Sequence, residues 1–105
     1  PVCFDAKECG TDTFPLANIH PHQVEFMGAF EKQGGVSFLL IFYSHKNSFY
    51  YLSYRQMMNF WKRAEEGGRK SFRLEELPAE GFLPQKPGIL VPYLEGLALD
   101  LKTRD

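Results

Sequence analysis

The sequence predicts an α+β fold, a mixed central β-sheet flanked by helices in a single domain over residues 1–105. Three observations carry that expectation. From Val36 to Tyr43 apolar residues run almost unbroken, as in a strand covered on both faces. Two other segments, around Val24, Met27 and Phe30 and around Tyr54, Met57, Met58 and Trp61, repeat apolar residues at helical spacing. The opening Phe4-Asp5-Ala6-Lys7-Glu8 reads as a short strand with its charges two positions apart.

In chain order, Gly10-Thr11-Asp12-Thr13 and the residues up to Asn18 have turn chemistry and predict a loop. Pro21 fits the first turn of a helix and Gly34-Gly35 its stop, so a helix is expected over about 20–33, with Phe26 widening its apolar stripe. The Val36–Tyr43 strand is expected at the centre. Ser44-His45-Lys46-Asn47 is a polar turn, and Phe49-Tyr50-Tyr51-Leu52 completes an antiparallel hairpin. Ser53 and Gln56 have capping-box spacing for the next helix, which Gly67-Gly68 ends. A basic stretch from Arg69 to Arg73 leads into a helical turn, Leu74 to Leu77, stopped by Pro78. Residues 79 to 89 read as irregular, and Leu94, Leu97 and Leu101 predict a C-terminal helix.

Composition narrows the function. Hydrophobic residues at 44% and aromatics at 15% exclude a disordered chain. The longest apolar run, Phe38 to Tyr43, is far short of the ~20 residues of a membrane helix, and no signal-peptide pattern is present, so a cytoplasmic protein is expected. Cys3 and Cys9 have no redox-pair spacing and read as free thiols. A net charge of −1 argues against a general nucleic-acid coat, so any DNA contact must be local. A start at Pro-Val-Cys, already in a strand, reads as an N-terminally truncated piece.

The chemistry concentrates at Asp5 and Lys7. In a strand both project from one face; a carboxylate there can hold a hard divalent cation while an amine orients the attacking water, the minimum of a metal-dependent phosphodiesterase. A salt bridge on a sheet edge is the plain alternative. Gln23, in the first helical turn, either caps its helix or faces that site. His20 and His22, two apart, do not share a helix face and suit loop or cap roles better than metal ligation. Lys62, Arg63, Arg69, Lys70 and Arg73 form a basic cluster, read either as phosphate contacts or as a solvated helix end.

Five blocks, Phe4-Asp5-Ala6-Lys7-Glu8, Thr13-Phe14-Pro15-Leu16, His20-x-His22-Gln23, Gly34-Gly35-Val36-x-Phe38 and Gly67-Gly68-Arg69-Lys70-Ser71, resemble in order and spacing the RecU-type Holliday junction resolvases of the PD-(D/E)xK nuclease superfamily. The resemblance implies a restriction-endonuclease-like core and a homodimer that cuts four-way junction DNA with Mg²⁺, Mn²⁺ being a substitute, and that meets a recombinase filament. It places Asp5 at the acidic metal position, Lys7 at the motif lysine, the Ala6 carbonyl in the metal shell and Gln23 near the active centre, where it helps to position a phosphate or water. Asp5 stands where the motif usually has Glu. The family's other metal-binding aspartate falls on a strand before Pro1, which implies that residues 1–105 alone are inactive. A nuclease-derived module that binds DNA or a recombination protein without cutting is the alternative.

Overall fold

The computed structural model describes residues 1–83. Seven regular elements follow in order: β1 (Val2–Cys9), β2 (Thr13–Pro15), α1 (Pro21–Lys32), β3 (Val36–Tyr43), β4 (Ser48–Ser53), α2 (Tyr54–Glu65) and β5 (Ser71–Arg73). The C-terminal helix expected around Leu94 to Leu101 lies outside the described residues.

β3 is the centre of a three-stranded sheet in the order β1-β3-β4, parallel to β1 and antiparallel to β4, so the sheet is mixed as expected. Its composition explains the position. Every β3 residue but Phe42 is buried, because one face meets the helices and the other meets Tyr51 and Leu83. On the helix face Leu39, Ile41, Tyr50 and Leu52 pack with Val24 and Met27 of α1 and Met57 of α2. Each such aliphatic side chain contributes roughly 1.5–3 kcal/mol by leaving water. Both described helices therefore lie on one side. On the opposite face Phe38 stacks between Phe4 at 5.1 Å and Tyr51 at 4.2 Å.

The helix boundaries follow their signals. His20 caps α1, Ser53 caps α2 through a capping box with Gln56, and Gly34 and Gly67 end them at φ +86° and +91°, where a side chain would be strained. Glu31 ties the end of α1 to β3 by accepting from the Ser37 amide at 2.6 Å and the Ser37 hydroxyl at 3.1 Å. The turn between β3 and β4 closes through Asn47 in the left-handed region.

Two expectations are corrected. The segment read as a loop after β1 contains β2, which pairs antiparallel with β5, Phe14 lying opposite Phe72. Two short polar-flanked triplets give no periodicity to read; their pairing is driven by two fully buried rings stacked at 5.0 Å. Phe26, assigned to the buried stripe of α1, is 62% exposed. It lies on the flank of the Val24 and Met27 row, beyond the reach of the sheet.

Candidate active site

β1 is an edge of the described sheet, and its side chains alternate. Val2, Phe4, Ala6 and Glu8 face outward, whereas Cys3, Asp5, Lys7 and Cys9 are half-buried or buried on the side of α1. The sequence alternation thus sends both charged groups toward the first turn of α1, where Gln23 meets them.

The three side chains form one closed set of contacts. Lys7 Nζ lies 2.9 Å from Asp5 Oδ2 and donates to Gln23 Oε1 at 3.2 Å, while Gln23 Nε2 donates to Asp5 Oδ2 at 2.5 Å. Gln23 Oε1 also accepts from the His20 amide at 3.0 Å. The two readings of Gln23 are therefore one geometry: it completes the α1 capping box and, from that fixed position, holds both charged groups. His20 is the cap residue, its Nδ1 accepting from the His22 amide at 3.1 Å, and the His22 side chain is exposed on the first turn. Burial pushes the Asp5 carboxyl up, but hydrogen bonds from Lys7 and Gln23, the Lys7 charge and the Ala6 amide outweigh it, and the group stays below the ordinary carboxylate range. Asp5 is thus an anion at neutral pH.

The donors match a hard cation in kind, an ionised carboxylate followed by a backbone carbonyl. They do not surround one. Among the described residues no group of three or more His, Cys, Asp or Glu converges on a metal position. Asp5 and Ala6 can supply one side of a Mg²⁺ shell, the pattern in which water and substrate phosphate supply the rest.

The basic cluster divides. Arg63 is engaged internally: Nη1 donates to Glu76 Oε1 at 2.6 Å, Nη2 donates to the Ser71 carbonyl at 2.8 Å, and the guanidinium lies 5.1 Å from the Phe60 ring centroid. Arg69 also approaches Glu76, at 3.6 Å, and Arg73 approaches Glu75, at 3.7 Å. The glutamates that engage these cations, Glu75 and Glu76, follow β5, a strand with no sequence signal. Lys62 and Lys70 are exposed. Lys70 lines an apolar groove of about 500 Å³ that reaches Pro21 at the start of α1.

The Arg63 pair makes a pH prediction. Hydrogen bonds from Arg63 pull the Glu76 carboxyl from its ordinary 4.5 down to about 2. A carboxyl depressed on folding adds stability that is complete above its ordinary pKa and fades as pH falls toward its folded one. Glu76→Gln is therefore expected to lower stability by about 1–2 kcal/mol at pH 7, after allowance for partial solvent screening, and by progressively less from pH 4.5 downward. Urea unfolding of both proteins across that range checks it, and a pH-independent difference would contradict it.

A family model described as Recombination protein U matches residues 1–99. Among curated proteins, the chain is 38% identical over 98 residues to the Holliday junction resolvase RecU of Pediococcus pentosaceus, covering 91% of this chain and 49% of that protein. It is 46% identical over 83 residues to the RecU of Bacillus pumilus, covering 78% and 40%. The RecU of Levilactobacillus brevis is 35% identical over 96 residues, with 90% and 48% covered. The chain spans about half the length, or less, of these relatives. With a family match over nearly its whole length and the Asp5, Lys7 and Gln23 side chains converging on one edge of a mixed sheet, the chain belongs to the RecU family.

Proposed function

We propose that this chain carries the catalytic face of a metal-dependent endonuclease that resolves four-way DNA junctions in recombination and repair, acting as a homodimer in the cytoplasm. The observation that carries the reading is the mutual anchoring of Asp5, Lys7 and Gln23. In an ordinary surface salt bridge two long side chains meet in water and contribute little. Here a helix-capping amide fixes both partners, which is the preorganisation a phosphodiester site requires.

When bound, Mg²⁺, or Mn²⁺ in its place, would supply Lewis-acid polarisation of the phosphodiester. Asp5, already ionised, and the Ala6 carbonyl would hold it. Lys7 has three N–H donors. Two are directed at Asp5 Oδ2 and Gln23 Oε1, which leaves one for a phosphate oxygen or for the attacking water. Gln23 fixes the direction of that third donor. Lys62 and Lys70 are the exposed lysines of the basic cluster and serve as phosphate contacts; Arg63, Arg69 and Arg73 would first have to exchange a glutamate for DNA. The same surface could serve a recombinase filament.

The test is cleavage of a synthetic four-way junction by the product of the full open reading frame that encodes this chain. Cutting is expected with Mg²⁺, and its loss with a chelator or on Asp5→Asn, by at least about 10³-fold for the substitution. Cutting that survives Asp5→Asn would reject the assignment. Salt-dependent junction binding without metal-dependent cutting would instead establish a binding module that has lost catalysis.

A further inference from the structure

The most exposed large apolar side chain among the described residues is Phe26. It opens into a cleft that Asp5 and Gln23 also line. This cleft, about 360 Å³, runs between β1 and α1 and is lined by Cys3, Phe4 and Asp5 on one side and by His22, Gln23, Phe26 and Met27 on the other. Phe26 follows Gln23 by three residues, so the ring lies one turn further along the same helix face, about 4.5 Å along its axis. The ring is backed by Phe30, nearly parallel at 21° with centroids 6.1 Å apart. On the other side of Gln23 the exposed His22 ring is stacked on His20, 4.9 Å away. The Asp5 carboxylate, which Lys7 Nζ meets at 2.9 Å, and an outward aromatic face supported from behind therefore share one opening.

We propose that Phe26 is a stacking surface for a nucleobase next to the phosphodiester held at Asp5 and Lys7, with His22 bordering the same base. This deepens the nuclease reading and rests on it. The occupant follows from the arrangement. A nucleotide presents a charged phosphate and a flat apolar base on opposite sides of one sugar, and the cleft presents an aromatic face beside Asp5 and Gln23, the two groups that hold the Lys7 ammonium. Stacking accepts any base, since every base has a π-face, and it requires the base to be unstacked from its neighbour. The consequence is discrimination by structure: a branch point, where stacking is already interrupted, yields a base cheaply, whereas continuous duplex must first be opened. Phe26 would thus favour junction over linear DNA without reading sequence.

The experiment uses the product of the full open reading frame and junctions carrying 2-aminopurine beside the scissile phosphate, with Ca²⁺ replacing Mg²⁺ to hold the uncut complex. Binding is expected to change the 2-aminopurine emission. Phe26→Ala should abolish that change and weaken junction binding about 10-fold, the loss of one base stack, with little effect on linear duplex. Phe26→Trp should restore both; Phe26→Leu, similar in hydrophobicity but without a π-face, should not. Rescue by leucine, or junction affinity of Phe26→Ala within twofold of the unsubstituted protein, would overturn the proposal. So would a smaller sedimenting species for Phe26→Ala, which would make the ring a contact between copies. The two readings fail separately: metal-dependent cutting with no Phe26-dependent emission change removes only the stacking role, whereas a Phe26-dependent emission change in a protein that never cuts removes only the nuclease.

Discussion

Lys7→Met is expected to lower junction cleavage by the full-length protein about 10²–10³-fold with almost no change in stability. Two physical arguments separate these effects. The folded chain loses an ion pair whose Asp5 partner is 42% exposed, and such pairs contribute at most about 1 kcal/mol. Gln23 keeps its bond to the His20 amide and its donation to Asp5, so the start of α1 remains capped. The proposed reaction, in contrast, loses the ammonium that would face the phosphate. A second signature distinguishes this from a local disturbance. Lys7 helps to hold the Asp5 carboxyl below its ordinary range, so its removal raises that pKa, and the carboxylate is then lost at a higher pH as acid is added. The acid limb of the cleavage profile should therefore move to higher pH in Lys7→Met. Single-turnover rates across pH, with urea unfolding as the control for folding, give both readouts. Activity within threefold of the unsubstituted protein, or an unmoved acid limb, would remove Lys7 from the chemistry.

How much of this site could be read from residues alone depended on how local its determinants are. The alternation of β1 and the spacing of Asp5 and Lys7 are set within three residues, and the structure keeps them on one face. Gln23 was legible only as a pair of alternatives, because one side chain serves two partners: its cap role is local, three residues from His20, while its contact with Asp5 spans 18 residues. The central position of β3 was legible because burial on both faces demands an unbroken apolar run. What remained hidden is non-local. The pairing of β2 with β5 joins triplets nearly sixty residues apart, and with it the placement of Glu75 and Glu76 against the basic cluster. Phe26 was misplaced for the opposite reason. Apolar character alone argues for burial, whereas the outward direction of this ring depends on where the sheet ends, which its own helix does not encode.

That same hidden pairing yields the largest expected change in stability. Phe72 is fully buried, stacked on Phe14 at 5.0 Å on one side and on Phe60 of α2 at 4.5 Å on the other. Phe72→Ala is expected to cost about 3–5 kcal/mol, the transfer of a ring plus the cavity it leaves, read as a lower urea midpoint with little change in slope. The effect should also reach the site. The backbone bonds from Leu16 N to the Lys70 carbonyl at 3.0 Å and from Leu74 N to the Asp12 carbonyl at 2.8 Å flank this ladder. They anchor the connection that carries the chain from the Asp5 and Lys7 strand to the Gln23 helix. Once the ring is removed, that connection is held by a three-residue ladder without its core, and α1 loses a constraint on where Gln23 sits. Amide hydrogen exchange in the Phe72→Ala protein should therefore show faster opening at Leu16 and across the first turn of α1 than at β3, whose bonds lie in the central sheet. Uniform acceleration of β3 and α1 together would mean that the β2–β5 pair is part of one cooperative core and exerts no separate hold on the site.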